Sequence, residues 1–170
     1  MRHLFTMDYQ DYITNGTVIS RPSVRGIVIR EGRVLMIHSV KYDYYKFPGG
    51  GIEPGEGQRE ALCREVREES GFAVDPDSIR EYGLVHRRSR GAESDLFIQD
   101  NYYYLCAVAG AEGQALDDYE AEEGFTPEFV TAAHAIETNR FHDHNGKWGI
   151  VQERECRVLE RLIEEGLLTL

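Results

Sequence analysis

Residues 47–72 constrain this chain more than any other stretch. Phe47-Pro-Gly-Gly-Gly-Ile-Glu-Pro-Gly-Glu-Gly57 holds too many glycines for a regular helix or strand, because glycine loses the most backbone freedom on ordering. Gln58-Arg-Glu-Ala-Leu-Cys-Arg-Glu-Val-Arg-Glu-Glu-Ser70 follows, with Ala61, Leu62 and Val66 as an apolar stripe at helical spacing. The pattern predicts a helix from about Gln58 to Ser70, ended by Gly71. Glu65, Glu68 and Glu69 then share one face at i, i+3 and i+4, left pointing away from the core. Like charges at that spacing repel by a few tenths of a kcal/mol, and a hard divalent cation converts the repulsion into coordination. A solvated helix with Glu60–Arg64 and Arg64–Glu68 pairs would account for the glutamates, but not for the glycine loop in front of them.

The stretch resembles the signature of the Nudix hydrolases. That signature runs glycine, five residues, glutamate, seven residues, Arg-Glu, a bulky apolar residue, one residue, Glu-Glu, one residue, glycine and a final bulky apolar residue. Gly50, Glu56, Arg64-Glu65, Val66, Glu68-Glu69, Gly71 and Phe72 fill these positions, with an aromatic ring where the last is usually aliphatic. The resemblance implies Mg²⁺ or Mn²⁺ held across a pyrophosphate that water attacks. By position, Glu65 and Glu69 match the principal metal ligands, and Glu68 a further ligand or the base. Gly49 matches a residue whose carbonyl oxygen touches the metal. Arg64 matches a residue orienting Glu65, and Glu56 one fixing the loop, with Gly50, on the helix. The chemistry is coherent on its own terms: carboxylates repel a diphosphate, and a bound cation reverses the sign of the site.

A length of 170 residues suits one domain, expected over 1–170. The net charge of −11 argues against broad nucleic-acid binding, which needs Lys and Arg to neutralise phosphates. Cys63, Cys106 and Cys156 form no metal-binding spacing and suit reduced thiols in the cytoplasm. Residues 1–10 carry no signal-peptide core, and no apolar run is long enough for a membrane span, so no membrane partner is expected.

Along the chain, residues 1–20 suit an N-terminal arm or strand. Ser23–Arg30 reads as a strand, Glu31-Gly32 as a turn and Arg33–Ser39 as the hairpin partner. Arg25 interrupts the first strand and is a candidate phosphate contact. Tyr45, just before the glycine loop, is a candidate for stacking on a base. Arg80–Arg90 reads as a strand with a basic end, where Arg87 and Arg88 are candidate anion contacts, alternation turning about half of the patch outward. Phe97–Val108 is a further strand. An acidic loop, Leu116–Gly124, follows, and the resemblance implies one more carboxylate from this region, Glu120 or Glu122. Thr126–Thr131 suits a short strand, with Thr131 capping a small helix through Ile136. His142 and His144 suit an exposed loop before an Asn145-Gly146 turn. Residues 147–166, with Trp148 at the head of the stripe, suit a C-terminal helix.

The elements add up to an α/β protein, a Nudix-type α/β/α sandwich with a mixed β-sheet between helices. The expected activity is metal-dependent hydrolysis of a pyrophosphate bond in a nucleoside diphosphate linked to another moiety, by a monomer or homodimer. The alternative is a non-catalytic nucleotide-sensing module that regulates a partner. Subfamily motifs outside the loop and helix, such as Ser-Gln-Pro-Trp-Pro-Phe, are absent, so the leaving moiety stays open.

Overall fold

A computed structural model describes residues 1–110, 112–144 and 149–169. In order, the elements are β1 (His3–Asp8), β2 (Val18–Ser20), β3 (Ser23–Ile27), β4 (Ile29–Arg30), β5 (Arg33–Ser39), β6 (Tyr44–Lys46), α1 (Gln58–Ser70), β7 (Ala73–Val74), a 3₁₀ turn (Pro76–Ser78), β8 (Arg80–Ser89), β9 (Leu96–Leu105), β10 (Val108–Ala109), α2 (Asp118–Glu123), β11 (Phe125–Val130), α3 (Ala132–Phe141) and α4 (Ile150–Glu164). One mixed sheet has the order β1-β8-β9-β2, with β3 also on β9; a second, antiparallel sheet has β11-β5-β4 with β6 on β5; β7 and β10 form a small pair. Alternation along the strands divides the apolar residues between two faces. Val34 and Met36 of β5 and Tyr103 of β9 join one core cluster with Val158, Leu159 and Leu162 of α4. Leu35 and Tyr104 join the other, with Ala61, Leu62 and Val66 of α1. Helices thus lie on both sides of the strands. Each fully buried Leu or Val of those stripes contributes about 1.5–3 kcal/mol.

The segment expected as one strand over Ser23–Arg30 is split between the two sheets. Ser23–Ile27 runs parallel to β9, whereas Ile29–Arg30 pairs antiparallel with β5. Glu31 and Gly32 both have positive φ, 52° and 73°, the conformation of a two-residue hairpin turn. The split matters for the glycine loop, which takes the edge of β3 that β9 leaves open. Val24 N donates to Gly50 O (3.0 Å), Gly26 N to Pro48 O (2.8 Å) and Ile52 N to Pro22 O (3.0 Å).

Helix α1 has the expected bounds, and Gly71 ends it in the left-handed region at φ 73°. The acidic segment, expected as a loop, instead forms α2 over Asp118–Glu123. The Glu120 carboxylate reaches back to the Asp117 backbone N–H (3.0 Å), and Gly124 ends the helix at φ 69°. Thr131 caps α3, accepting from His134 N at 3.2 Å, but the helix continues beyond Ile136 to Phe141. Among the described residues, the C-terminal helix begins at Ile150; Trp148 and the Asn145-Gly146 turn lie outside them. His142 binds Asp43 (2.7 Å), and His144 lies within hydrogen-bond distance of the Tyr42 and Asn139 carbonyls (3.0 and 3.1 Å). No helix among the described residues is long and apolar enough to cross a membrane.

Candidate active site

Two glycines seat the loop, one against β3 and one against α1. Gly49 has φ 140°, and a Cβ there would lie 2.1 Å from the Val24 carbonyl oxygen. At Gly50 a Cβ would sit 2.3 Å from Glu65 Oε2, so the missing side chain is the space the carboxylate occupies.

Arg64 ties this loop to the helix. Its Nε and Nη2 donate to the two oxygens of Glu56 (2.8 and 2.9 Å), a bidentate pair, and Nη2 also donates to Gly51 O (3.1 Å). Its Nη1 donates to Glu65 Oε1 (2.8 Å) and Glu68 Oε2 (3.1 Å). These bonds hold the Glu56 carboxyl down at about 2. Glu65 goes the other way: burial raises its proton affinity, with Arg64 acting against the rise.

Glu69 is turned inward, away from the outward face expected for it. It is 1% exposed; Lys46 Nζ binds Oε1, and Gly49 N donates to Oε2 (2.9 Å). Burial pushes its carboxyl up to about 7 in spite of Lys46 and Arg25. Lys46 was not singled out in the sequence. Its signal was a lone charge in the aromatic run Tyr44-Tyr45-Lys46-Phe47, because a charge among buried rings needs a partner.

The main cleft, about 530 Å³, lies between the glycine loop, α1 and α2, with Arg64, Glu65, Glu68, Asp117 and Glu120 on its walls. Glu120 is 5% exposed and accepts from Tyr119 OH (2.9 Å). Of the two acidic candidates, Glu120 faces the cleft; Glu122 pairs with Lys41 instead. A smaller cavity of about 200 Å³ shares Arg21 and Gly51 with the cleft and is lined by Arg25, Arg87, Gln99 and Tyr119.

Three candidates take other places. Tyr45 is 3% exposed in the core: its ring stacks on His38 (4.6 Å), and its hydroxyl donates to Glu128 (3.1 Å), so no face is free for a base. Arg88 alternates away from Arg87, lying 3.8 Å from Asp8 and over the Tyr12 ring. The Gly49 carbonyl accepts from Arg25 Nη1, so a metal there would share the oxygen with a guanidinium of like charge. Arg21 was not singled out in the sequence, and nothing local signals its position beside Gly51.

All the acidic groups in the cleft are carboxylates, the oxygen donors that Mg²⁺ and Mn²⁺ prefer, and in that respect the residues fit such an ion. Among the described residues, no three acidic, histidine or cysteine side chains are gathered closely enough to ligate one; Glu65 and Glu68 are both bonded to Arg64 Nη1.

The family model for the NUDIX domain matches residues 20–152. The chain belongs to the Nudix family. Members generally use divalent metal cations. This Nudix chain is 38% identical over 69 residues to CTP pyrophosphohydrolase of Escherichia coli strain K12, spanning 49% of that protein and 38% of its own length. It is 33% identical over 115 residues to RNA pyrophosphohydrolase of Ectopseudomonas mendocina strain ymp, covering 72% of that protein and 62% of itself. The first curated relatives are thus matched over about half of their length. Its fold is similar to that of a NUDIX hydrolase from Nitrosomonas europaea, with a TM-score of 0.59 at 17% identity, covering 84% of this chain and 89% of that one.

Proposed function

We propose that this Nudix protein hydrolyses the pyrophosphate bond of a nucleoside diphosphate linked to another moiety, using Mg²⁺ or Mn²⁺ and releasing a nucleoside monophosphate and a phosphorylated remainder. One observation carries the reading: Glu65, Glu68 and Glu120 line a single cleft beside a glycine loop in which Gly50 leaves room for the Glu65 carboxylate. The names of the pyrophosphohydrolases it resembles support the same reaction class.

In this reading Glu65, Glu68 and Glu120 are the carboxylates that would hold the cation, closing in from the cleft walls where they stand apart in the described structure. When bound, the ion supplies charge neutralisation and Lewis-acid polarisation of the phosphate oxygens. Arg64 keeps Glu65 and Glu68 in place and offsets their mutual repulsion. Glu68, with its side chain 30% exposed against 13% for Glu65, is the better placed to take a proton from the attacking water. Glu69 braces the loop through Gly49 N and becomes a ligand only by releasing Lys46.

The test is a panel of nucleoside triphosphates, dinucleoside polyphosphates and nucleotide sugars incubated with Mg²⁺ or Mn²⁺, with products identified by mass. The expected result is a nucleoside monophosphate from at least one compound, with turnover in Glu65→Gln lower by about 10²–10³-fold. Near-wild-type turnover in that variant would end the proposal. Nucleotide binding without any product would instead favour a sensing module.

A further inference from the structure

The smaller cavity beside the glycine loop carries the opposite charge to the main cleft. Arg21, Arg25 and Arg87 line it, in a chain whose net charge is −11. Among the described residues no carboxylate lies within ion-pair reach of these three, unlike Arg64 on the wall of the main cleft, which pairs with three carboxylates.

Arg25 and Arg87 donate to neutral acceptors, and Arg21 borders the same cavity. Arg25 is 8% exposed; its Nη1 donates to the Gly49 carbonyl, and its Nε is buried with no hydrogen-bond partner. It lowers the proton affinity of Glu65 and Glu69 through space without bonding to either. Arg87 donates from Nε and Nη2 to the neutral Ser89 Oγ (3.2 and 2.9 Å) and lies over the Phe97 ring at 5.2 Å. Burial, and then the nearby Arg154, lower its proton affinity, outweighing Tyr9 and Asp11, which raise it. Arg21 lies along the loop, its Nε 3.2 Å from where a Gly51 Cβ would be. A buried cation is costly unless an anion joins it, and a guanidinium fork matches phosphate oxygens in particular.

The two cavities meet at Arg21 and Gly51. One end of the combined cleft is acidic and suits phosphates bridged by a cation; the other is basic and suits a phosphoryl group that carries none. We propose that Arg21, Arg25 and Arg87 bind a third phosphoryl group, so that substrates with three or more phosphates in series are preferred to diphosphates that end in a neutral sugar. The proposal rests on the hydrolase reading for its substrate preference, but not for the anion site itself.

The site is tested without metal or turnover by calorimetric titration of inorganic tripolyphosphate in EDTA. Arg87→Gln and Arg21→Gln should each weaken binding at least tenfold, while Glu68→Gln leaves it no weaker. Arg21 is exposed, so its variant stays informative if loss of the more buried Arg87 disturbs folding, which thermal unfolding of each variant would reveal. In steady-state assays both variants should lower the ratio of kcat/KM for a nucleoside triphosphate over a nucleoside diphosphate sugar about tenfold, through KM. Tripolyphosphate binding equal to wild type in folded Arg21→Gln and Arg87→Gln would overturn the proposal, as would equal losses on both substrates. If nothing is hydrolysed but arginine-dependent binding persists, the hydrolase reading fails and the anion site stands.

Discussion

At the scale of single residues, the site depends on what is missing at Gly50 as much as on what is present at Glu65. Gly50→Ala would place a methyl 2.3 Å from Glu65 Oε2 and push the carboxylate out of its slot. Displacing a reacting group by about 1 Å costs about 10²-fold in rate, so kcat should fall by about that factor while the melting temperature moves little. Glu56 gives a prediction in pH. Arg64 holds its carboxyl at about 2, below the ordinary 4.5. A value depressed on folding contributes stability above the unfolded value and loses it as the pH falls toward the folded one. The melting temperature of Glu56→Gln should therefore lie below wild type at pH 6–7, and the gap should close as the pH falls from about 4.5 toward 2; a gap independent of pH would refute the pair's contribution. Glu69 shows where reading residue by residue fails. Its spacing matches that of Glu65 and Glu68, yet it is the one of the three that meets Lys46 in the interior.

At the scale of elements, the capping residues mark where the helices begin and end. Helix α2 has six residues and was missed because its acidic composition reads as solvated loop, although Asp117 with Glu120 three residues later is a capping-box spacing. Thr131, by contrast, was legible as the cap of α3, and Thr131→Ala should cost about 1 kcal/mol. For a domain of this size that corresponds to a fall of about 2–4 °C in melting temperature, and a shift under half a degree would show that packing against α4 alone holds α3. The split of Ser23–Arg30 was not legible. Each half is an ordinary strand by composition, and its assignment to one sheet or the other depends on β5 and β9, which lie elsewhere in the sequence.

At the scale of the whole molecule, a buried polar network runs from α4 to the edge of the site. Arg154 and Glu155 pair at 1% and 0% exposure; Tyr103 OH donates to Glu155 (2.9 Å), and Arg154 Nη1 to Asn101 Oδ1 (2.8 Å). Asn101 Oδ1 also accepts from Ser23 Oγ (2.8 Å), and Ser23 bridges to Gly51 of the loop. Nothing local in the sequence gives Glu155 a buried partner other than its neighbour Arg154. Glu155→Ala would leave Arg154 buried without its acid, and chemical denaturation should show a loss of about 3–5 kcal/mol. An unchanged midpoint would mean that the pair contributes nothing.

The sequence by itself determined the helix of residues 58–70, the glycine that ends it, the hairpin turn at Glu31-Gly32 and the loop with its glutamates, because each is encoded within one or two turns of chain. Only the tertiary structure decided that Glu69 turns to Lys46, that Tyr45 enters the core, and that Arg21, Arg25 and Arg87 meet in one cavity. Spacing along a chain determines which side chains share a face; which charge meets which depends on burial and on strands far apart in sequence.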